Sequence, residues 1–267
     1  MGVFRTIDAH CGLPDIQLLF TSDRKEIEDF LLGWDRRYHF GLDMEWRPNF
    51  VKGAPPSRSA VLTICNGPWV LAVDLVPFRK SWPQPLFDGL WRFLENDEHT
   101  FYGMGLAADA ARLAIEFDCV VQGIDFLSAW PEQIVLKGGL EGLGNSLLGT
   151  SVKQSKAITR SNWDKRPLSE QQLMYLAEDA YLSWKIMRHL ASLVPASEEW
   201  LVTMTDMYSH GQEFIRHGMY IEDACHDWTQ AMHEWQQRQE EKKQKENSKK
   251  SDLKKRKRLE SLRHGPV

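Results

Sequence analysis

Asp43 and Glu45 stand two residues apart in the segment GLDMEW, and Tyr175 and Asp179 stand four apart in QQLMYLAEDAYLSW. In a strand, residues i and i+2 point to one face; in a helix, residues i and i+4 share a face one turn apart. A third acid, Asp109, follows the glycine-flanked run YGMG, where a helix can begin. Each piece also has a plain structural reading. Asp43 and Glu45 suit an edge strand with solvated acids, Asp109 suits a helix dipole, and the Tyr175/Asp179 pair suits a core-edge phenol beside a surface acid. Together they outline four carboxylates and a phenol converging on one spot. Such a cluster repels itself unless cations offset the charge. Two divalent metals would do so and would clamp the attacking and leaving oxygens of a phosphodiester displacement.

These side chains need a layered scaffold to meet. Ile16–Thr21 and His39–Trp46 read as strands, separated by a helix that Ser22 or Asp23 caps and that carries Ile27, Phe30, Leu31 and Trp34 at helical spacing. Ala60–Cys65 and Trp69–Leu75 are apolar runs joined by Asn66-Gly67, a hairpin signal. A short helix over Pro85–Leu94, a strand Phe101–Met104, a helix over 107–117 and a strand Val120–Ile124 follow. Helices then dominate, over about 140–148 and 169–191, the latter opened by the capping-box pair Ser169 and Gln172. Strands alternating with helices predict an α/β fold with a central mixed sheet.

Gly103-x-Gly105-x-x-Ala108, with Asp125 about twenty residues on, fits a relaxed dinucleotide fingerprint. It stands after several strands instead of at the first strand–helix turn, and Asp109 would set a negative charge near a pyrophosphate. A nucleotide cofactor is therefore not expected.

With its three motifs in order, the chain resembles the DEDD superfamily of 3′–5′ exonucleases, tyrosine subclass, and within it the Werner-syndrome-type exonucleases. The likeness spans about residues 15–192. GLDMEW carries Asp43 and Glu45, YGMGLAADAARL carries Asp109, and YLAEDA carries Tyr175 and Asp179; the stretch SNWDKRPLS adds to it. Ala107, Ala108, Leu176 and Glu178 depart from side chains that relatives often have there. The resemblance implies an RNase H-like fold and a hydrolase that releases nucleoside monophosphates from a 3′ end. Asp43, Glu45, Asp109 and Asp179 would hold two Mg²⁺ or Mn²⁺ ions, and Tyr175 would orient the attacking water. Lys165 and Arg166 would touch the substrate backbone. DNA is the expected substrate; an RNase D-like exoribonuclease and a catalytically silent nucleic-acid-binding scaffold are the alternatives.

The charge balance divides the chain. The 267 residues carry a net charge of −4, yet residues 238–263 hold twelve Lys and Arg against five Asp and Glu, leaving −11 on the rest. An acidic body with a basic tail is expected: an N-terminal segment 1–15, an exonuclease domain 16–192, a helical extension 193–246 and a disordered basic tail 247–267. Lys254, Lys255, Arg256 and Lys257 read as a nuclear localisation signal or a phosphate-attracting patch; a nuclear location is expected, with a cytoplasmic one as the alternative. No GxxxxGK[ST] motor motif occurs, so helicase activity would come from a protein partner. No apolar run spans a bilayer and no membrane partner is expected. The 42% hydrophobic content excludes a wholly disordered chain. Cys11, Cys65, Cys119 and Cys225 show no CxxC spacing, which argues for reduced thiols and an intracellular protein.

Overall fold

The computed structural model describes residues 2–34, 37–51, 55–79, 87–126 and 139–193. The helical extension and the tail expected beyond residue 193 lie outside them, as do Lys254, Lys255, Arg256 and Lys257.

Among the described residues, seven strands form one mixed sheet in the order β1-β2-β5-β4-β3-β6-β7. They are β1 (Val3–Ile7), β2 (Ile16–Thr21), β3 (His39–Trp46), β4 (Ser59–Asn66), β5 (Trp69–Asp74), β6 (Thr100–Gly103) and β7 (Gly123–Asp125). β4 sits at the centre and is buried along its whole length. It pairs antiparallel with β3 on one side and with β5 on the other. The β4–β5 hairpin turns at Gly67, whose φ of 64° an L-residue with a Cβ resists. The outer pairs β2–β5, β3–β6 and β6–β7 are parallel, and β1 closes the far edge antiparallel to β2.

The helices are α1 (Arg24–Leu32), α2 (Asp88–Leu94), α3 (Leu106–Phe117), α4 (Gly139–Leu148), α5 (Lys156–Thr159) and α6 (Glu170–Leu193). Two apolar cores lie on the two faces of the sheet. Phe40, Leu42 and Met44 of β3 and Leu62 and Ile64 of β4 join α1, α2 and α3 on one face. Val61 and Cys65 of β4 join α4 and α6 on the other. The two-residue period of β3 therefore turns Gly41, Asp43 and Glu45 towards α6. Trp46 packs at the rim of the α1–α3 core, as its alternation predicts.

Asp23 is the N-cap of α1, accepting the N–H groups of Lys25 (2.9 Å) and Glu26 (3.0 Å). The capping box of α6 forms reciprocally: the Ser169 amide donates to Gln172 Oε1 (3.0 Å) and the Gln172 amide to Ser169 Oγ (3.2 Å). No helix among the described residues is long and apolar enough to cross a membrane. Asn49 accepts the Val51 N–H (3.0 Å) and donates to the Pro55 carbonyl (2.6 Å).

α5 was not among the expected elements, and three others differ from expectation. β1 lies in the stretch read as a plain N-terminal segment; only Ile7 of its five residues is buried, so no apolar alternation marks it. β7 begins at Gly123 where Val120–Ile124 was expected. Cys119 and Val121 are buried in the preceding loop, so the apolar run reports burial and not strand pairing. α1 ends at Leu32, and Trp34 reaches the core from the turn that follows.

Candidate active site

Asp43 and Glu45 come to the site from the middle of β3, where Thr63 and Val61 of β4 are their register partners. A bulge between Glu45 and Trp46 breaks the ladder just past them. α6 crosses this face at Gly41, against which Ala180 packs backbone to backbone. That close approach brings Asp179 and, one turn earlier, Tyr175 over the two strand acids. Oxygens of Asp43, Glu45 and Asp179 lie within 4.8 Å of one another.

Asp109 stands on the first turn of α3, near enough to Asp43 to feel its charge but outside the group of three acids whose oxygens lie within 4.8 Å. The start of that helix is fixed by Gly105, in the left-handed region at φ 77°, and by Asp125. The Asp125 carboxylate accepts the Gly105 N–H (2.9 Å) and the Ala107 N–H (3.1 Å). The acid that completed the dinucleotide-like pattern thus caps α3, the helix that carries Asp109.

Electrostatically this is a pocket of mutual repulsion. Burial first, and then the neighbouring carboxylates, push Glu45, Asp109 and Asp179 well above the usual carboxylate range. Burial pushes Asp43 up to about 7. Arg112, one turn along α3, partly offsets Asp109, and its guanidinium lies 3.7 Å from the centre of the Trp46 ring. Tyr175 lies beside Asp179, Asp43 and Glu45, and burial and these surrounding acids raise its phenol far above the ordinary value. It is therefore a neutral O–H donor across the physiological range.

The residues fit a divalent cation. Oδ2 of Asp43 is sealed from solvent and has no hydrogen-bond partner, a costly state for a carboxylate oxygen unless a cation meets it. The donor set is all carboxylate, which suits hard ions such as Mg²⁺ or Mn²⁺.

Around this centre the structure adds further contacts. Gln154 donates from Nε2 to Asp179 Oδ1. Trp163, fully buried, packs its ring 5.9 Å from that of Tyr175 and donates from Nε1 to the Thr159 carbonyl (3.2 Å). Glu178, beside Asp179 in the chain, pairs with His10 Nε2 at 2.6 Å. His10 Nδ1 meets the Asp8 carbonyl at 2.7 Å; a carbonyl can only accept, so Nδ1 carries a proton. Leu176 is a core residue. A glutamine in a loop and a histidine near the N-terminus carry no spacing signal that could have pointed to these partners.

Lys165 is exposed, as a backbone-contacting side chain would be. Arg166 is placed differently. All its donors face protein acceptors: Nε and Nη2 hold Asp74 (2.7 and 2.5 Å), Nη2 also meets the Ala60 carbonyl (3.2 Å), and Nη1 reaches the carbonyls of Trp163 (2.6 Å) and Lys165 (3.0 Å). It ties the loop before α6 to the end of β5.

Comparison with known proteins places the chain in a family. Residues 20–195 match the sequence profile of a family described as 3′–5′ exonuclease. An Arabidopsis thaliana 3′–5′ exonuclease is 32% identical over 159 residues, covering 58% of this chain and 54% of that protein. The mouse bifunctional 3′–5′ exonuclease/ATP-dependent helicase WRN is 31% identical over 156 residues, 57% of this chain and 11% of its own length. The chain thus spans about half or less of these relatives. Among solved structures, Trypanosoma brucei RNase D superposes with a TM-score of 0.61 at 14% identity, over 75% of this chain and 72% of that one. Escherichia coli RNase D, an exoribonuclease, gives 0.52 at 20% identity, over 73% and 50%. Both share the RNase H-like fold.

Proposed function

The chain belongs to the 3′–5′ exonuclease family, and from that premise we propose that it hydrolyses phosphodiester bonds one at a time from the 3′ end of DNA, releasing nucleoside monophosphates. The observation that carries the reading is the convergence of Asp43, Glu45 and Asp179 within 4.8 Å around an unpartnered Asp43 oxygen, beneath the Tyr175 phenol.

Asp43, Glu45, Asp109 and Asp179 hold two divalent ions, Mg²⁺ or Mn²⁺, in this proposal. When bound, the ions offset the carboxylate charge and the charge that develops on the phosphate in the transition state. The chain's own groups do the rest. The four acids fix where positive charge sits, on three elements that pack as one body. Tyr175 keeps its proton, so it orients the attacking water by hydrogen bonding and does not remove a proton from it. Trp163 holds the phenol in place from behind. Lys165, an exposed cation two residues after Trp163, is proposed to meet the substrate backbone; Arg166 supports the loop before α6 through Asp74.

Support for DNA comes from the SNWDKRPLS stretch and the third motif, where the likeness is to Werner-syndrome-type exonucleases. A second reading, trimming of RNA, has its own support in the fold shared with the RNase D proteins. One assay separates them: labelled single-stranded DNA, recessed duplex DNA and RNA of one sequence, each with Mg²⁺, Mn²⁺ or EDTA. Stepwise shortening of DNA from the 3′ end, lost in EDTA and in Asp43→Asn, is the expected result. Shortening of RNA alone would install the second reading, and no shortening of any strand would overturn both.

The basic segment around Lys254–Lys257 is proposed to direct the protein to the nucleus and to draw phosphates to an otherwise acidic chain. Helicase activity is proposed to reach the same substrate through a separate protein.

A further inference from the structure

Gln154 reaches the acids from outside the three motifs. Its backbone is held tightly. The Ser151 amide donates to the Cys11 carbonyl (2.8 Å), and Asn145 of α4 both accepts the Val152 N–H (3.0 Å) and donates to the Val152 carbonyl (2.9 Å). The Gln154 N–H itself donates to Glu141 Oε2 (2.8 Å), and the next residue, Ser155, caps α5. A segment anchored at successive residues leaves its side chains little choice of direction. The one at 154 points into the acid cluster and donates to Asp179 Oδ1.

We propose that Gln154 is a positioning residue for Asp179. A carboxylate on a short side chain can rotate about its last bond, and in a buried pocket each orientation presents different lone pairs. The amide takes one acceptor site of Oδ1 and so restricts that rotation. Because the amide is neutral, the contact leaves the negative charge of Asp179 available to a cation. α4 and the loop after it thus belong to the working site, through Glu141 and Asn145, although neither contributes a group that would touch metal or substrate. The inference rests on reading the acids as a divalent-metal site.

The test is Gln154→Met, which keeps the length of the side chain and removes the donor. Groups that orient a metal ligand are worth about 10–100-fold in metal affinity or activity. Calorimetric titration with Mn²⁺ should show affinity weakened about 10-fold or more, with kcat on labelled single-stranded DNA lowered to a similar extent. KM should stay within about 2-fold, because the substrate's own contacts are untouched. The melting temperature in EDTA should match wild type. Gln154→Asn, one methylene too short to reach Oδ1, should reproduce the losses if the Met variant fails to fold. Wild-type Mn²⁺ affinity in a folded variant would overturn the proposal, as would a fall in melting temperature in EDTA with unchanged affinity. If the wild-type protein degrades no nucleic acid but Mn²⁺ binding still depends on Gln154, the exonuclease reading fails and the positioning role stands.

Discussion

Gly41 of β3 and Ala180 of α6 lie so close that a methyl group on residue 41 would strike the Ala180 carbonyl oxygen and come within 2.8 Å of the Trp184 amide nitrogen. Both obstacles are backbone, so neither can swing aside. The contact sets the depth at which α6 rides on the sheet, and with it the distance from Asp179 to Asp43. Gly41→Ala should therefore cost about 1–3 kcal/mol as an overpacked contact. It should also weaken Mn²⁺ binding, although residue 41 carries no functional group. Melting curves with parallel Mn²⁺ titrations check this; a destabilised variant with wild-type affinity would mean that α6 adjusts without disturbing the acids.

The buried acids reverse the usual pH dependence of stability in metal-free protein. Asp43 titrates near 3.9 in an unfolded chain and at about 7 in the fold. Its folded form therefore holds a proton more tightly. The associated stability is complete below about pH 4 and is lost as pH rises through about 7. Glu45, Asp109 and Asp179 shift in the same direction. In EDTA the melting temperature should fall between about pH 5 and about pH 8; saturating Mn²⁺ should remove the fall, and Asp43→Asn should flatten it. A melting temperature in EDTA that rises over this interval, in wild type and Asp43→Asn alike, would contradict the repulsive pocket.

Tyr175 should separate from the acids in its kinetics. Tyr175→Phe removes one O–H and little else, so turnover should drop about 10²-fold while Mn²⁺ affinity stays within a few-fold of wild type. The high phenol pKa adds a second expectation: turnover in wild type should show no upper limb assignable to phenol ionisation below about pH 10. Affinity lost as completely as in Asp43→Asn would make Tyr175 part of the ion-binding set.

Asp125→Ala should act at a distance. Loss of a helix cap costs about 0.5–2 kcal/mol, and here the loosened turn carries Asp109. A modest fall in melting temperature accompanied by a larger fall in turnover is expected, with Asp125→Asn restoring part of both. A variant that loses stability while keeping full turnover would show that Asp109 is aimed by α3 packing alone.

The tail has its own measurements. Removal of residues 238–267, with their local charge of +7, should flatten the dependence of DNA affinity on salt, since each phosphate contact adds about 0.7–0.9 to that slope. Alanine at Lys254, Lys255, Arg256 and Lys257 together should move a large fluorescent fusion out of the nucleus. Unchanged slopes and unchanged location would remove both roles from the segment.

The site was legible because its groups sit on regular elements with fixed periods. Asp43 and Glu45 are two apart on a strand, and Tyr175 and Asp179 four apart on a helix that a capping box announces. The order of the strands was not legible, since β1 is mostly exposed and β7 is only three residues long, so neither leaves a local pattern. Arg166 reads as a surface cation by type, whereas its pairing with Asp74, 92 residues away, is a fact of tertiary structure. Gln154 and His10 are silent for the same reason.

The His10–Glu178 pair bears on where this protein can be cut. The stretch shared with relatives starts at residue 20, but a fragment trimmed to that point would begin inside β2 and leave β5 with a raw edge. It would discard β1, the buried Leu13 and the Cys11 carbonyl that steadies Ser151, and would strip Glu178 of its only counter-charge among the described residues, one position from Asp179. Homology and the folding unit have different borders here. Fusion partners, affinity tags and minimal catalytic fragments should respect the second.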